Sequence, residues 1–237
     1  MNNHSARAKA KSSGSRSNGS RGGKGGGSNG PNGKDGGKTG APEAGKRERI
    51  LDAAVKVFAA EGFYNAKVSQ IAQAAGVADG TIYLYFKSKD DLLIQLFEDR
   101  MERVNATLRE ALATSDSAAV RLKRVVRLHL EMVESNRDMA EVISVELRQS
   151  SKFIREYANP KFAEFLRAIA GAVVEGQRAG ELRSDIDPYI FARSLFGALD
   201  EIAVAWLVKH PGSKATIDLP RAAEHVGNLF IDGLRAR

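Results

Sequence analysis

Cysteine is absent from the 237-residue chain, and histidine occurs only four times. The lack of cysteine excludes disulfide bridges and thiolate metal sites. The histidines lie far apart in the sequence, and none is three or four residues from another: His4, His129, His210 and His225. Because a metal site built on helices uses such close spacings, we expect no bound metal and no cofactor.

Long apolar runs and catalytic motifs are also missing. No stretch approaches the roughly 18–20 apolar residues that a membrane-spanning helix needs. The basic N-terminus is not followed by the apolar segment of a secretory signal. No nucleophile and base stand at a recognisable spacing, and no phosphate-binding loop is complete. The sequence therefore predicts a cytoplasmic protein without a membrane partner, and it gives no support to an enzyme.

Positive charge is concentrated at the N-terminus. Residues 1–45 contain five lysines and three arginines against Asp35 and Glu43, so this segment carries most of the formal net charge of +7. The segment is rich in Gly, Ser and Asn and has almost no large apolar side chain, which predicts a disordered tail. A basic tail either serves as a soluble linker or adds salt-sensitive, non-specific affinity for DNA.

Residues 68–93 carry the pattern of two short helices separated by a tight turn and followed by a longer helix. Gly76 follows the first apolar repeat, where a helix commonly ends in a residue with positive φ. Asp79 is predicted to cap the second helix, with Ile82 and Phe86 facing inward. Ser88 is predicted to cap the third. An earlier helix over residues 46–62 is predicted to pack beneath this pair, which makes 79–86 the recognition helix of a helix-turn-helix.

The string G-V-A-D-G-T-I-Y-L-Y-F-K-S-K-D-D-L-L, with A-A-V-K-V-F-A-A-E-G-F upstream, resembles the signature of the TetR family of bacterial transcriptional regulators. The resemblance implies an all-α fold. It comprises an N-terminal three-helix helix-turn-helix DNA-binding domain over 46–92 and a larger C-terminal helical domain over 93–237. The second domain is expected to bind an effector and to form a homodimer. Such proteins repress transcription by binding a palindromic DNA operator.

The outward side of the predicted recognition helix carries hydroxyl, phenol and ammonium groups, which suit phosphates and base edges. Thr81 and Tyr85 are assigned to base edges, and the remaining positions mainly to phosphates. The residues expected to contact DNA are Lys67, Ser69, Thr81, Tyr83, Tyr85, Lys87 and Lys89. The family usually has Ser or Thr at the start of the preceding helix, whereas this chain has Ala66 and Lys67. One contact to the DNA backbone is therefore expected to come from a lysine ammonium instead of a hydroxyl group.

Residues 189–208 are apolar on more than one helical face, which is typical of a helix with two partners. In the family the last two helices form a four-helix bundle between protomers. The residues assigned to this interface are Phe196, Leu199, Ile202, Trp206, Val226, Leu229 and Phe230. The alternative is an ordinary core within one chain.

Residues 140–157, A-E-V-I-S-V-E-L-R-Q-S-S-K-F-I-R-E-Y, resemble the TetR-family branch that represses fatty-acid degradation genes and responds to long-chain acyl-CoA. Three basic residues of this stretch suit the phosphates of a CoA group, and apolar neighbours suit an acyl chain. The residues assigned to the ligand are Phe97, Arg148, Lys152, Phe153 and Arg155. The alternative is a solvated face on which the basic residues pair with Glu146 and Glu156, a contribution of little energy.

Three other functions remain open from the sequence. A TetR-type repressor of efflux genes would respond to drugs or other lipophilic compounds, and would need an acid free to pair with a cationic drug. An architectural DNA-binding protein would depend on its basic tail. An enzyme of an all-α fold would need a catalytic pair that the sequence does not show.

Overall fold

The computed structural model describes residues 40–208 and 217–235, with side chains from residue 45 onward. The predicted all-α class is confirmed: apart from one bridge between Leu182 and Arg235, the regular structure of the described residues is helical. The α-helices are α1 Gly40–Asn65, α2 Val68–Ala75, α3 Asp79–Tyr85, α4 Lys89–Leu112, α5 Ala118–Ser135, α6 Arg137–Ser144, α7 Ser151–Glu156, α8 Pro160–Arg178, α9 Pro188–Leu207 and α10 Leu219–Gly227. A 3-10 turn spans Glu146–Gln149, and a π-helical turn spans Asn228–Asp232.

The first helix begins earlier than predicted. Helix α1 starts at Gly40, so the last residues assigned to a disordered tail of 1–45 are helical. The rest of that predicted tail lies outside the described residues. At the other end Gly62 breaks the helical path with φ 75°, a conformation that glycine adopts without strain.

Helices α1, α2 and α3 enclose a small apolar core. Ile50, Phe58, Ile71 and Ile82 are almost fully buried there. Gly76 ends α2 in the left-handed conformation, as predicted. The predicted cap of α3 is wrong, because Ala78 holds the cap position and Asp79 is the first helical residue, without a side-chain capping bond. The charge of Asp79 still favours the positive end of the helix dipole.

Side-chain caps set the starts of the later helices. The hydroxyl of Ser88 accepts the N–H of Asp91 at 3.1 Å. Asp187 and Asp218 cap α9 and α10, each directly before the helical turn that contains a proline. These three caps agree with the sequence pattern.

Residues 137–156 form two short α-helices joined by a 3-10 turn rather than one continuous helix. Helix α6 ends at Ser144, and the hydroxyl of Ser150 begins α7 by accepting the N–H of Phe153 at 3.2 Å. Between them the carboxylate of Glu146 accepts a hydrogen bond from the backbone N–H of Phe63 on α1, at 2.5 Å. These distant bonds favour a break over a continuous helix.

Within the part of the chain that the structure describes, no helix has the length and hydropathy to cross a membrane. The same residues contain no group of three or more metal-ligating side chains.

Candidate nucleic-acid interface and effector cavity

Helix α3 projects two large side chains into solvent. Tyr83 is 59% exposed and Leu84 is 82% exposed, while the buried Ile82 holds the helix against the core. Thr81 and Tyr85 are half-buried and flank the exposed face. An outward α3 surface with a phenol, a hydroxyl and an apolar tip can contact phosphates and base edges in a DNA groove.

Leu84 was absent from the predicted DNA contacts. It lies on the side of α3 opposite Ile82, so helical periodicity places it outward. A large apolar side chain is unusual at such an exposed position without a partner. On a recognition helix it suits the methyl group of thymine.

The other predicted DNA contacts lie at the ends of the short helices. Lys67, Ser69 and Lys87 are all exposed. The backbone N–H of Lys67 donates to the side-chain oxygen of Gln70 at 2.8 Å, which fixes the start of α2 and leaves the ammonium group free to extend. The backbone N–H of Lys87 donates to Asp91 at 2.7 Å.

Lys89 does not fit the phosphate contact that was predicted for it. Its ammonium group donates to three backbone carbonyls, those of Phe63 at 2.6 Å, Tyr64 at 3.0 Å and Ala66 at 3.0 Å. The same ammonium lies 4.7 Å from the centre of the Phe63 ring. Because a lysine ammonium has three protons, these carbonyls use its donors to cap the end of α1.

A cavity of about 990 Å³ lies among α1, α4, α5, α6, α8 and α9. Aromatic and aliphatic side chains form most of its interior surface: Val55, Phe97, Met101, Val104, Met132, Val133, Met139, Ile143, Leu147, Phe153, Phe162, Phe165 and Phe196. Basic side chains lie around this apolar interior: Lys56, Arg100, Arg103, Arg137 and Arg148. The arrangement can hold an elongated apolar group joined to an anion.

Of the five residues predicted to bind the ligand, three line the cavity and two do not. Phe97 and Phe153 line the cavity, with ring centres 5.1 Å apart in an edge-to-face arrangement. Arg148 also lines it and is paired with Asp200. Lys152 and Arg155 are exposed on α7 outside the cavity lining, so their predicted contact with a ligand in this cavity is not supported.

His129 lies in the cavity wall between Phe165 and Phe196, with ring centres 6.4 Å and 6.2 Å away. Burial lowers the pKa of His129 to about 4, so the imidazole is neutral at pH 7. A neutral ring keeps this part of the cavity compatible with an apolar ligand.

The 3-10 turn Glu146–Gln149 links the cavity to the DNA-binding helices. Leu147 and Arg148 of this turn line the cavity. Three hydrogen bonds attach the turn and the residue after it to the helix-turn-helix: Phe63 N–H to the buried Glu146 carboxylate (2.5 Å), the Tyr64 hydroxyl to the Gln149 carbonyl (2.7 Å) and the Ser150 hydroxyl to Asp90 (2.8 Å). The turn therefore connects the cavity wall directly to the end of α1.

Ion pairs join α1 to α4 at another part of the same cavity. Arg100 contacts Glu48 at 2.9 Å and Asp52 at 2.5 Å, and Arg103 contacts Glu48 at 2.6 Å. Partial burial acts to raise the pKa of the Glu48 carboxyl, but the hydrogen bonds from the two arginines outweigh it, and the pKa is lowered. These ion pairs keep the start of α1 against α4.

The predicted dimer residues fall into three environments. Phe196 lines the cavity and packs against Phe162, with ring centres 4.6 Å apart. Leu199 and Val226 are buried within the chain. The interface assignment is not supported for Leu199 and Val226, whose side chains are buried by their own chain, and the half-buried Phe196 contacts the cavity instead.

The other predicted dimer residues remain accessible. Ile202, Trp206 and Phe230 are half-buried, and Leu229 is 74% exposed. One side of α9 also presents accessible residues at helical spacing: Ile190, Ser194, Gly197, Glu201 and Ala205. Several of these are small, so another helix can approach α9 closely along this side.

Two family models match the chain. The model described as "Bacterial regulatory proteins, tetR family" matches residues 50–96. The model described as "YsiA-like protein, C-terminal region" matches residues 97–233.

Similar proteins align along most of their length. The fatty acid metabolism regulator protein of Bacillus subtilis is 34% identical over 189 residues, which are 80% of this chain and 95% of the relative. The transcriptional repressor KstR2 of Rhodococcus jostii is 26% identical over 195 residues, 81% of this chain and 92% of the relative. The solved structure of FadR from Bacillus subtilis in complex with stearoyl-CoA has a TM-score of 0.72 and 34% identity, and covers 79% of this chain and 99% of FadR.

The matches start in α1 and continue through the recognition helix, the cavity and α10. The relatives compared are transcriptional regulators. The chain belongs to the TetR family of bacterial transcriptional regulators.

Proposed function

We propose that this chain is a cytoplasmic repressor that binds a palindromic operator as a homodimer and is released by long-chain acyl-CoA. The observation that carries the effector assignment is the large apolar cavity with basic side chains around it. Support also comes from a relative named as a fatty acid metabolism regulator and from a FadR structure that holds stearoyl-CoA.

The size and lining of the cavity suit a long acyl chain. Its volume of about 990 Å³ is at the upper end of the range for small-molecule sites. Each methylene group removed from water contributes about 0.8 kcal/mol, so a long chain supplies much of the affinity without specific polar contacts. Phe97, Phe153 and Phe196 lie in the wall that such a chain would contact.

Operator binding is assigned to α3 and the ends of its neighbours. Tyr83 and Leu84 project farthest from the surface, with Thr81 and Tyr85 beside them. The proposed contacts are Lys67, Ser69, Thr81, Tyr83, Leu84, Tyr85 and Lys87. In a dimer, two copies of α3 would enter successive major grooves about 34 Å apart.

The homodimer is assigned to the accessible side of α9 and to α10. Ile202, Trp206, Leu229 and Phe230 keep accessible apolar surface there. Covering such a surface with a second copy follows the usual symmetric arrangement of soluble oligomers.

The test is a titration of the purified protein with acyl-CoAs of increasing chain length, read as thermal protection and as release of its own promoter DNA. A ligand that binds only the native state raises the unfolding temperature in a concentration-dependent way. We expect long-chain acyl-CoA to do both, and free CoA to do neither. Release by free CoA, or protection without DNA release, would overturn the proposal.

A pair of neighbouring variants locates the effect in the cavity. Phe153 lines the cavity, whereas Ile154 is 59% exposed beside it. Phe153→Ala should weaken acyl-CoA binding, and Ile154→Ala should leave it unchanged. Equal effects of the two substitutions would move the ligand out of this cavity.

The alternative effector, a cationic drug, is less well matched by the charges present. Three acids line the cavity: Asp52 and Asp200 are paired with Arg100 and Arg148, and Asp138 is exposed to solvent, where a carboxylate attracts a cation less strongly. A lipophilic cation would have to displace an arginine from either of the paired carboxylates. Protection by a panel of lipophilic cations, without protection by acyl-CoA, would favour this second function.

A further inference from the structure

The basic side chains around the cavity are not equivalent. Arg137 donates to the carbonyl of Leu207 at 2.8 Å and lies over the Trp206 ring at 4.8 Å. Arg148 is paired with Asp200. The remaining basic residues of the lining, Lys56, Arg100 and Arg103, lie together on the wall formed by α1 and α4.

Arg100 is buried at this wall although it carries a charge. Its side chain is 9% exposed and contacts Glu48, Asp52 and Asp99 at 2.9, 2.5 and 3.3 Å. Among the described residues its Nε atom has no hydrogen-bond partner. A buried guanidinium with an unused donor can donate a hydrogen bond to a further oxygen atom.

Arg103 lies one turn along α4 and shares a partner with Arg100. Both arginines contact the Oε1 atom of Glu48. The Arg103 side chain is 59% exposed, so this end of the cavity wall is open to solvent. An anion entering here would meet two guanidinium groups before the apolar interior.

Arg100 and Arg103 share two partners, Glu48 and Asp99, whose Oδ2 atom lies 3.3 Å from each guanidinium group. We infer that the two arginines form an anion subsite for the phosphate-bearing end of an amphiphilic ligand, and that the anion replaces Glu48, the shared partner that lies on α1. This inference rests on the proposed function and names the end of the cavity at which the charged group binds. It also reassigns the phosphate contacts that the sequence suggested for Arg148, Lys152 and Arg155.

A phosphate group is a stronger partner for two arginines than a single carboxylate. It carries a charge of about −1.5 to −2 and three acceptor oxygens, which match the paired donors of guanidinium groups. Phe97, Met101 and Val104 continue the same side of α4, so the apolar part of the ligand would run beside the subsite.

The exchange of partners gives the ligand a route to the DNA-binding helices. Glu48 and Asp52 lie on α1, which packs against α2, while both arginines lie on α4. When the arginines turn to a phosphate, α1 loses the ion pairs that Glu48 makes with α4, and the pair between Arg47 and Asp99 at 3.5 Å remains. Operator affinity then falls because α1 supports the recognition helix.

The first experiment measures binding of stearoyl-CoA, stearate and CoA to the full chain and to Arg103→Gln. Arg103 is exposed, so the substitution should not disturb folding. We expect stearoyl-CoA to bind about tenfold more weakly, which corresponds to one lost charge-assisted contact, and stearate to bind as before. Arg127→Gln, a change of an exposed arginine on α5 outside this cavity, is the control.

The second experiment tests the exchange itself with Glu48→Gln. If Glu48 and the ligand phosphate compete for the same arginines, this variant should bind stearoyl-CoA several-fold more tightly. Because the Glu48 ion pairs also hold α1 against α4, the variant should bind operator DNA more weakly in the absence of ligand. A purely structural role of Glu48 would weaken both interactions.

Each outcome has a distinct meaning. Failure of stearoyl-CoA to bind the unsubstituted protein overturns the proposed effector and the subsite together. Equal binding to the unsubstituted protein and Arg103→Gln overturns the subsite alone. Weaker binding of stearate as well as stearoyl-CoA means that Arg103 contacts a part that the two ligands share, either the apolar chain or a carboxylate in place of the phosphate, and this also overturns the phosphate subsite. Unchanged or weaker binding of stearoyl-CoA to Glu48→Gln overturns the exchange.

Discussion

Replacing His129 should change how the stability of the protein depends on pH. In the unfolded chain this histidine takes up a proton near pH 6.5, whereas burial in the cavity wall lowers its pKa to about 4. Between these two values the unfolded state binds more protons than the folded state. Stability contributed by the neutral ring is therefore full above pH 6.5 and is lost as the pH falls toward 4.

The size of the effect follows from the pKa difference. One pKa unit corresponds to about 1.4 kcal/mol, so lowering the pH from about 7.5 to about 5 should remove up to about 2 kcal/mol through His129. This is an upper value, because the ring is half-buried and is accessible from the cavity. For a chain of this length the loss corresponds to a decrease of about 4–8 °C in Tm.

The assay is thermal unfolding of the unsubstituted protein, His129→Gln and His225→Gln at both pH values. Glutamine cannot titrate, so His129→Gln should lose less stability on acidification than the other two proteins. His225 is exposed on α10 and controls for the removal of an imidazole as such. Titrations common to all three proteins cancel in the comparison. If His129→Gln and the unsubstituted protein lose the same stability, the neutral, buried state of His129 is refuted.

Three further sets of substitutions test the DNA-binding surface and the packing. Lys87→Ala should weaken binding to all DNA sequences alike and reduce the slope of log affinity against log salt concentration by about one unit. Lys89→Ala should leave that slope unchanged and lower Tm, because the Lys89 ammonium caps α1. The opposite pattern in salt titrations would restore the phosphate role of Lys89. Leu84→Ala should leave Tm unchanged, since the side chain is 82% exposed, but it should reduce the preference for operator over random DNA. An unchanged preference in competition binding would remove Leu84 from the interface. Gly176→Ala should destabilise the fold by about 1–3 kcal/mol through overpacking, because its new Cβ would lie 2.6 Å from a neighbouring side chain. Gly171→Ala on the same helix is the control and should not destabilise the fold, since its Cβ would meet nothing within 4 Å. Denaturant unfolding that ranks the two variants the other way would contradict this packing.

The features that sequence predicted well depend on residues close together in the chain. Ser88, Asp187 and Asp218 each cap a backbone N–H two or three residues later, so the signal and its partner lie in one short string. The positive φ of Gly76 is likewise a local requirement for ending α2. The start of the recognition helix was likewise predicted to within about one residue, and periodicity identified its buried residues Ile82 and Phe86.

The predictions that failed depend on distant partners. Lys89 resembles an exposed basic residue in sequence, but its three acceptors lie 23–26 residues earlier, at the end of α1. Phe196 lies in the apolar pattern expected of an interface helix, but its ring packs against Phe162 on α8 in the cavity wall. Periodicity identifies an apolar side of a helix and does not say whether a partner from the same chain or a second chain covers it.

The ion pairs of Arg100 bear on why DNA release should require a ligand. Removing one partner from a fully buried ion pair destabilises a protein by about 3–5 kcal/mol, and the penalty at Arg100 is smaller because its partners Glu48 and Asp52 are 36% and 59% exposed. In the empty protein that penalty keeps α1 against α4 and the recognition helix in place. A phosphate that takes over the guanidinium removes much of the penalty, so ligand binding and the loss of the α1–α4 contact favour each other. Reversing a two-state equilibrium from about 1:99 to 99:1 needs about 5.5 kcal/mol of differential affinity. The exchange at Arg100 supplies a part of that difference that depends on conformation, whereas the acyl chain alone would stabilise any conformation that keeps the apolar cavity.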